Sequence, residues 1–401
     1  MKNIKIDSND YFPSGELISP WFYNHEEKSI NKLGKIYNIF DYNILPNKFI
    51  TNKVQNLVDL IYQNGGGILY FPRGTYLLGA IFLKDKVHLY LEDGTVILGS
   101  DNINDFPLMD TRIEGECCQY YPALINIANS SKTYIFGSGI IDGNGLSYWK
   151  QFWLDQKNNP QSTNKDTHRP RLLFVSNSNN VQINGIRFQN SPYWTTHFYK
   201  CKNLKILNCS FCSPKEPVPA PSTDGIDLDV CENVLVKNCY FEVNDDAIAL
   251  KGGKGTYADL DKSNGPNRKI IIEDCKYGYC HSALTFGSES IHNKDIIIRN
   301  IELNDILQFI HFKMRGDTPQ HFEYVDVKNI KGTILHNFVN INPWNQYFNL
   351  KDRKNMGISQ INNISFSNVD VISGCNLNIF KNDKLYLLSN FEFNNVNVTI
   401  K

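Results

Sequence analysis

The segments NNVQINGIRFQNS (179–191), KNLKILNCSFCS (202–213) and ENVLVKNCYFEV (232–243) can be laid under one another with their apolar residues aligned. Each alternates apolar with polar side chains, the pattern of a half-buried strand. The pattern returns at NRKIIIEDCKYGY (267–279), NKDIIIRNIELND (293–305), YVDVKNIKGTI (324–334), NNISFSNVDVIS (362–373) and NFEFNNVNVTI (390–400). Copies recur at roughly 23 to 39 residues, the range expected of a stacked-coil solenoid. Cys201 and Cys231 share one repeat position, and Cys209, Cys239 and Cys275 share another. Identical residues at one position form inward ladders when strands stack about 4.8 Å apart. The expected fold is therefore all-β, a single-stranded right-handed parallel β-helix.

Upstream of these copies, GGGILYFPRGTYLLG, FLKDKVHLYLEDGTVILGS and YIFGSGIIDGNG read as the first turns. Residues 51–64 (TNKVQNLVDLIYQN) place Val54, Leu57, Val58 and Ile61 at helical spacing and end at Gly65-Gly66-Gly67. Such a helix would cap the open end of the solenoid, whose core and strand edges would otherwise face water. No linker divides the chain. The organisation expected is an N-terminal extension over residues 1–35, packed on the solenoid, followed by a β-helix over 36–401. The polar run 252–268 (GGKGTYADLDKSNGPNR) interrupts the spacing and reads as a loop beside the site.

Lys plus Arg (41) balance Asp plus Glu (41) in the 401 residues, so no global field draws in nucleic acid or an anionic membrane. No segment is apolar for long enough to span a bilayer. The start, MKNIKIDSNDYFPSG, lacks the apolar core of an export signal, so an unexported, cytoplasmic protein is expected. In that setting the ten cysteines are expected to be reduced thiols packed as small hydrophobes. Cys209 and Cys212 have CxxC spacing, but no second pair accompanies them, and no metal or other cofactor is expected.

Three acids lie in or beside apolar strands: Asp224 in PSTDGIDLD, and Asp245 and Asp246 in VNDDAIALKGG. The 21 residues from Asp224 to Asp245 are about one coil, which places the acids on adjacent rungs. Clustered like charges raise at least one pKa, keeping a carboxyl protonated to act as a general acid. His281, in YCHSALTFGSES, and Lys313, in IHFKMRGD, follow at what look like two further coil spacings. Carboxylates, an imidazole and an ammonium are then expected to share one groove.

From about residue 36 onward the chain resembles glycoside hydrolase family 28, the polygalacturonases and their relatives. The likeness rests on the order of ALINIANSSKTYIFGSGIIDGNG, RPRLLFVSNSNNVQINGIRFQNSPYWT, STDGIDLD, NDDAIALK and HSALTFGSE. The resemblance implies an inverting glycosidase acting on a pectic, galacturonate-containing oligosaccharide. It implies Asp245 as the acid that protonates the leaving oxygen, and Asp224 and Asp246 as the bases that activate water. Inversion needs acid and base carboxyls about 6.5–9.5 Å apart. His281 stands in the family's Gly-His-Gly motif, here Cys280-His281-Ser282, and would tune or orient the acid. Lys313 matches the lysine of its Arg-x-Lys motif, whose arginine is replaced by His311. Ser222 stands where the family has Asn before TDG, and Asn244 where it has Gly before the Asp pair. Imidazole cannot make the guanidinium's fork to a carboxylate, so these departures point away from a simple homogalacturonan substrate.

Further candidates for holding substrate are Lys251, Arg169, Arg171 and Arg112 as uronate partners, and Trp194, Tyr193 and Trp344 as sugar platforms. Exo-action, by an exo-polygalacturonase or a rhamnogalacturonan galacturonohydrolase, follows from the expected location, where short fragments are met. Two other readings stay open. One is a β-helix lyase working by elimination with Ca²⁺ held by the three acids; the other is a non-catalytic carbohydrate-binding β-helix.

Overall fold

The computed structural model describes residues 11–24, 30–346, 349–353, 357–375 and 384–401. The described residues form a single-chain parallel β-helix, with 26 strands in one continuous wrapped sheet and one separate two-stranded hairpin. Successive rungs pair in register through Val181, Leu204, Val234, Ile270, Ile296, Val325, Ile364 and Phe391. The intervals between these positions are unequal in the chain. That irregularity is absorbed by loops between strands, while the ladder stays regular.

Inside, like packs on like. Phe188, Phe211, Phe241 and Tyr277 form a stack with ring centroids 5.3, 5.0 and 5.0 Å apart. Cys201 and Cys231, and Cys209, Cys239 and Cys275, are buried free thiols in the same interior. Stacking like side chains at the strand spacing is the geometry of an in-register parallel sheet.

The corners carry a feature the alternating pattern does not announce. Asn208, Asn238, Asn300, Asn329, Asn368 and Asn395 all sit at φ between 53° and 57°, in the left-handed region. Asn tolerates that conformation better than other side-chain-bearing residues. Its amide then continues along the stack: Asn208 Nδ2 donates to Asn184 Oδ1 (2.7 Å), Asn238 to Asn208 (2.6 Å), Asn329 to Asn300 (2.9 Å) and Asn395 to Asn368 (3.0 Å).

Helix α1 (Thr51–Gln63) closes the N-terminal end, burying Val54, Leu57, Val58 and Ile61. It also satisfies an exposed strand edge: Gln55 accepts from Phe82 N–H (2.8 Å) and donates to Phe82 O (3.1 Å). Residues 11–24 lie along the outside, where Phe12, Ile18 and Phe22 cover Leu207, Leu235, Ile271 and Ile297. A second helix, α2 (Leu146–Asn158), stands between rungs and buries Tyr148, Trp149 and Phe152.

The face that matters for chemistry is built from a few strands. The hairpin is β1 (Met109–Ile113) and β2 (Glu116–Tyr120). The stacked strands are β3 (Leu173–Ser176), β4 (Thr196–Tyr199), β5 (Ile226–Asp229), β6 (Ile248–Leu250), β7 (Ser282–Phe286), and the long β8 (His292–Arg315) and β9 (His321–Trp344), which continue round the corners.

Substituting Asn238 separates two contributions. Asn238→Ala loses the amide bond, about 1 kcal/mol, and places Cβ in a left-handed conformation at about 1–2 kcal/mol more. Asn238→Gly loses only the bond and the stiffness of the unfolded chain. Thermal unfolding should therefore show a larger drop in midpoint for the alanine variant than for the glycine variant.

Candidate active site

Register decides which residues meet. Ile226 pairs with Ile248, so Asp224 lies beside Asp246 and Gly225 N–H donates to Asp246 O (3.0 Å). Ile248 pairs with Leu284, which sets Asp245 beside His281; His281 N–H donates to Asp245 O (2.9 Å). The next rung pairs Thr285 with His311. Lys313 is therefore not one coil beyond His281, as its spacing in the chain suggested. It lies beside Gly287, and Leu307 takes the place beside His281. Lys313 enters the site from the far end of its strand, where its Nζ meets Asp246 Oδ2 at 2.7 Å.

These strands floor a hollow of about 260 Å³ lined by Asp224, Asp245, Asp246, Lys251, His281, Lys313, Ser222, Trp194 and Trp344, together with Glu114, Asn164, Ser288, Glu289 and Gln346. One oxygen of each of Asp224, Asp245 and Asp246 lies within 4.8 Å of the others. The acids therefore converge on one point of the hollow. Asp245 is the open member, with its side chain 25% exposed and its Oδ1 3.4 Å from His281 Nδ1; that oxygen also accepts from Asp246 N–H (2.9 Å). Asp224 and Asp246 are buried.

The buried acids hold their protons unequally. Burial, then Asp245, raise the Asp224 carboxyl to about 8, against the opposing pull of Lys251. Burial works the same way on Asp246, but Lys313, aided by His281, outweighs it and holds Asp246 below the ordinary carboxylate range. In the free groove the cluster therefore keeps a proton on Asp224 and a charge on Asp246. Burial disfavours the charge on Lys251, yet Glu289, first among its acidic neighbours, raises its pKa well above the usual lysine value. Burial likewise opposes charge on His281, and Asp245 overcomes it, raising the imidazole.

Several expected substrate contacts are moved elsewhere. Arg169 is fully buried and donates to Pro192 O (3.0 Å), Pro221 O (2.7 Å), Asn164 O (3.2 Å) and Ser222 Oγ (3.4 Å). It shapes the wall, including the left-handed Ser222 (φ 56°), instead of gripping a uronate. Arg171 is fully buried too, on Arg112 O (2.7 Å), Thr111 Oγ1 (2.9 Å) and His197 Nδ1 (2.6 Å). Arg112 forks onto Asp229 at 2.9 and 3.3 Å. Tyr193 has no exposed surface and donates to Glu114 Oε1 (2.6 Å). Trp194 lines the hollow, but Lys251 Nζ sits 4.6 Å over its ring, which leaves no open platform. Lys251 in turn is buried against Glu289 (3.2 Å), Asp224 (3.6 Å) and Asp227 (3.6 Å), and holds the acids together. His311 is buried on Asn342 Oδ1 (2.7 Å); burial and Lys313 lower it to about 4, so it is a neutral imidazole and no cationic substitute for an arginine.

Three of the residues that build the hollow were not singled out from sequence. Asp227, in the same TDGIDLD segment, is fully buried, and burial and Asp224 push its carboxyl well above the ordinary range. Its position shortly after Asp224 on a strand was the available signal. Glu289 and Glu114 come from a turn and from the hairpin tip, where nothing local marks them.

The hairpin is what shapes the groove. Arg112 on β1 reaches Asp229 on β5, Cys117 Sγ lies 3.9 Å from Tyr199 Oη on β4, and Ile113 and Tyr120 pack on Tyr193 and Trp194. Outward-facing Phe174, His197, Tyr199 and Asp229, which an open groove would expose, are buried. The turn at Glu114–Gly115 abuts Glu289 just past β7, where a Cβ on Gly115 would stand 2.8 Å from Glu289 Cβ. The turn residues 251–265 complete the wall: Asn264 Oδ1 accepts from Arg112 Nη2 (2.7 Å), and the next strand already begins at Pro266 rather than after 268.

Asp224, Asp245 and Asp246 offer the oxygens a hard cation needs. Lys313 and Lys251 already place ammonium groups 2.7 Å from Asp246 and 3.6 Å from Asp224. Those positions are the ones a Ca²⁺-dependent lyase would give to the metal.

The model of "Glycosyl hydrolases family 28" matches residues 108–400, nearly three quarters of the chain. A probable polygalacturonase of Vitis vinifera is 28% identical over 253 residues, 60% of this chain and 49% of that protein. The chain thus spans about half the length of that relative. An exopolygalacturonase of Thermotoga maritima superposes with a TM-score of 0.76 at 19% identity, covering 94% of this chain and 91% of that one. The polygalacturonase of Erwinia carotovora gives 0.64 at 19% identity, covering 88% and 94%. At these identities the two structures establish the β-helix fold.

The raised Asp224 carboxyl has a consequence for stability. Unfolding returns it from about 8 to its ordinary value near 3.8. The stabilising bias of a raised folded pKa is present below the unfolded value and lost as pH rises towards 8. Asp224→Asn removes this dependence. The difference in thermal midpoint, variant minus wild type, should therefore rise from pH 5 to pH 8; a flat or falling difference would show that Asp224 is ionised in the folded groove.

Proposed function

Since the chain belongs to glycosyl hydrolases family 28, we propose that it hydrolyses galacturonate-containing pectic oligosaccharides, releasing galacturonic acid from a chain end. The observation that supports this reading best is the convergence of Asp224, Asp245 and Asp246 in a hollow shut off upstream by the hairpin. A volume of about 260 Å³ lies below the roughly 300–1,000 Å³ of sites for drug-sized ligands, and suits one sugar residue better than a threaded polymer. With β3, β4 and β5 covered, substrate has room to extend only towards the later coils, as exo-action requires.

In this proposal Asp245, the most exposed acid, protonates the leaving oxygen, and His281 at 3.4 Å orients it. Asp246, held ionised by Lys313, draws a proton from the attacking water. Asp224 lies beside Asp246 and accepts the water's second hydrogen bond. The proton that the free groove keeps on Asp224 passes to Asp245 when substrate binds, which leaves Asp224 as a carboxylate able to accept from the water. Inversion rests on family membership. Lys313, bonded to Asp246 at 2.7 Å and with Trp344 beside it at 4.7 Å, is shared between that acid and a uronate carboxylate in the hollow. The absence of a guanidinium fork at His311 favours the rhamnogalacturonan galacturonohydrolase type over an exo-polygalacturonase.

Asp245→Asn should lower reducing-sugar release by about 10²–10⁴-fold, the usual worth of a general acid, with little change in thermal midpoint. Defined oligogalacturonides and rhamnogalacturonan fragments, followed chromatographically and by NMR, should give monomeric galacturonic acid as first product with inverted anomeric configuration. Early products of mixed length would overturn exo-action, a retained anomer would overturn inversion, and wild-type turnover by Asp245→Asn would overturn the acid assignment.

A further inference from the structure

Away from the groove, at the start of β8 and β9, two histidines and a glutamate converge. His292 pairs in register with His321, and their rings stack with centroids 5.2 Å apart and planes 5° from parallel. Glu323 projects between them: Oε1 lies 3.1 Å from His292 Nε2, and Oε2 lies 3.7 Å from His321 Nε2. We propose that His292, His321 and Glu323 form a binding site for a divalent transition-metal cation of the zinc class, clamping two successive rungs of the solenoid.

Two imidazoles and a carboxylate this close together supply the donor set and the spacing of a metal site. His321 Nε2 lies 3.0 Å from Asn362 Nδ2, which can only donate to it, so Nε2 presents a lone pair. That single lone pair is turned to the Asn362 amide, and it must swing towards Glu323 Oε2, 3.7 Å away, to meet a cation held with the carboxylate. Tetrahedral zinc with ligands at about 2.0–2.1 Å sets them roughly 3.3 Å apart, between the two separations seen. The three ligand atoms already lie within 4.8 Å of one another. All three side chains are partly exposed, so small side-chain rotations bring both Nε2 atoms onto the ion and leave a fourth position for water. Two imidazoles and one carboxylate suit zinc, nickel or copper, whereas Ca²⁺ and Mg²⁺ prefer oxygen ligands. Lys294 Nζ, 4.0 Å from Glu323 Oε1, and the Asn362 amide are the neighbours that must move aside.

Because the ligands come from both rungs, a bound ion stabilises the folded chain in proportion to its occupancy. Chelator-treated protein titrated with ZnCl₂ by calorimetry should bind one equivalent saturably, and the thermal midpoint should rise with zinc. His321→Gln and Glu323→Gln should each weaken that binding by at least about tenfold and abolish the rise in midpoint, while turnover without zinc stays at the wild-type level. Absence of saturable binding, or binding of wild-type strength in both variants, overturns the site; the second result would place the zinc elsewhere, on Cys117 and Cys118 or on the groove carboxylates.

Discussion

In-register stacking of parallel rungs is the constraint from which the rest of the structure follows. Among the described residues, successive strands of the solenoid pass their hydrogen bonds to the next coil, so a side chain's neighbours are set by the residue count of one turn. The pairing of Ile226 with Ile248 puts Asp224 against Asp246, and that of Ile248 with Leu284 puts Asp245 against His281. A slip of one residue would turn each of these side chains to the opposite face. The interior prevents such a slip, because the Phe188–Phe211–Phe241–Tyr277 stack and the Asn208–Asn238 amide contacts each require the same register.

Stacking also creates the electrostatic problem that the site exploits. Bringing acids from neighbouring rungs into a hollow places like charges together where water cannot screen them. Two lysines relieve part of it. Lys313 secures the charge on Asp246, and Lys251 is shared among Asp224, Asp227 and Glu289. What remains unrelieved appears as carboxyls of Asp224 and Asp227 raised above the ordinary range. Residues that resemble ligands for an anionic sugar are, in several cases, internal counter-ions or wall supports: Lys251 belongs to the acids, Arg112 to Asp229, and Arg169 and Arg171 to backbone carbonyls and neighbouring side chains.

The β1–β2 hairpin makes the difference between an open groove and a hollow. Its strands join no rung of the solenoid. Arg112 and the Ile113, Tyr120, Tyr193 and Trp194 cluster fasten it over β4 and β5. A solenoid has one outer face repeated many times, so a single insertion from one turn can cover several rungs and leave the following ones accessible.

The amino-acid sequence alone determined the solenoid, its capping helix and the identity of the three acids, because repeat spacing, helical periodicity and the TDG and Asp-Asp segments are local signals. Sequence also placed Lys313 and His281 at the site, although the stretch between them does not make a single coil. Loops between rungs vary in length without disturbing the ladder, so spacing in the chain predicts the turn only where the loops are short. Tertiary structure alone decided which charges face substrate and which are buried. Glu114 and Glu289 lie far apart in the chain and meet at the hollow only because the hairpin folds over; His311 is neutral only because it is buried beside Lys313. Burial and charge proximity are properties of the packed molecule, and nothing in the one-dimensional pattern carries them.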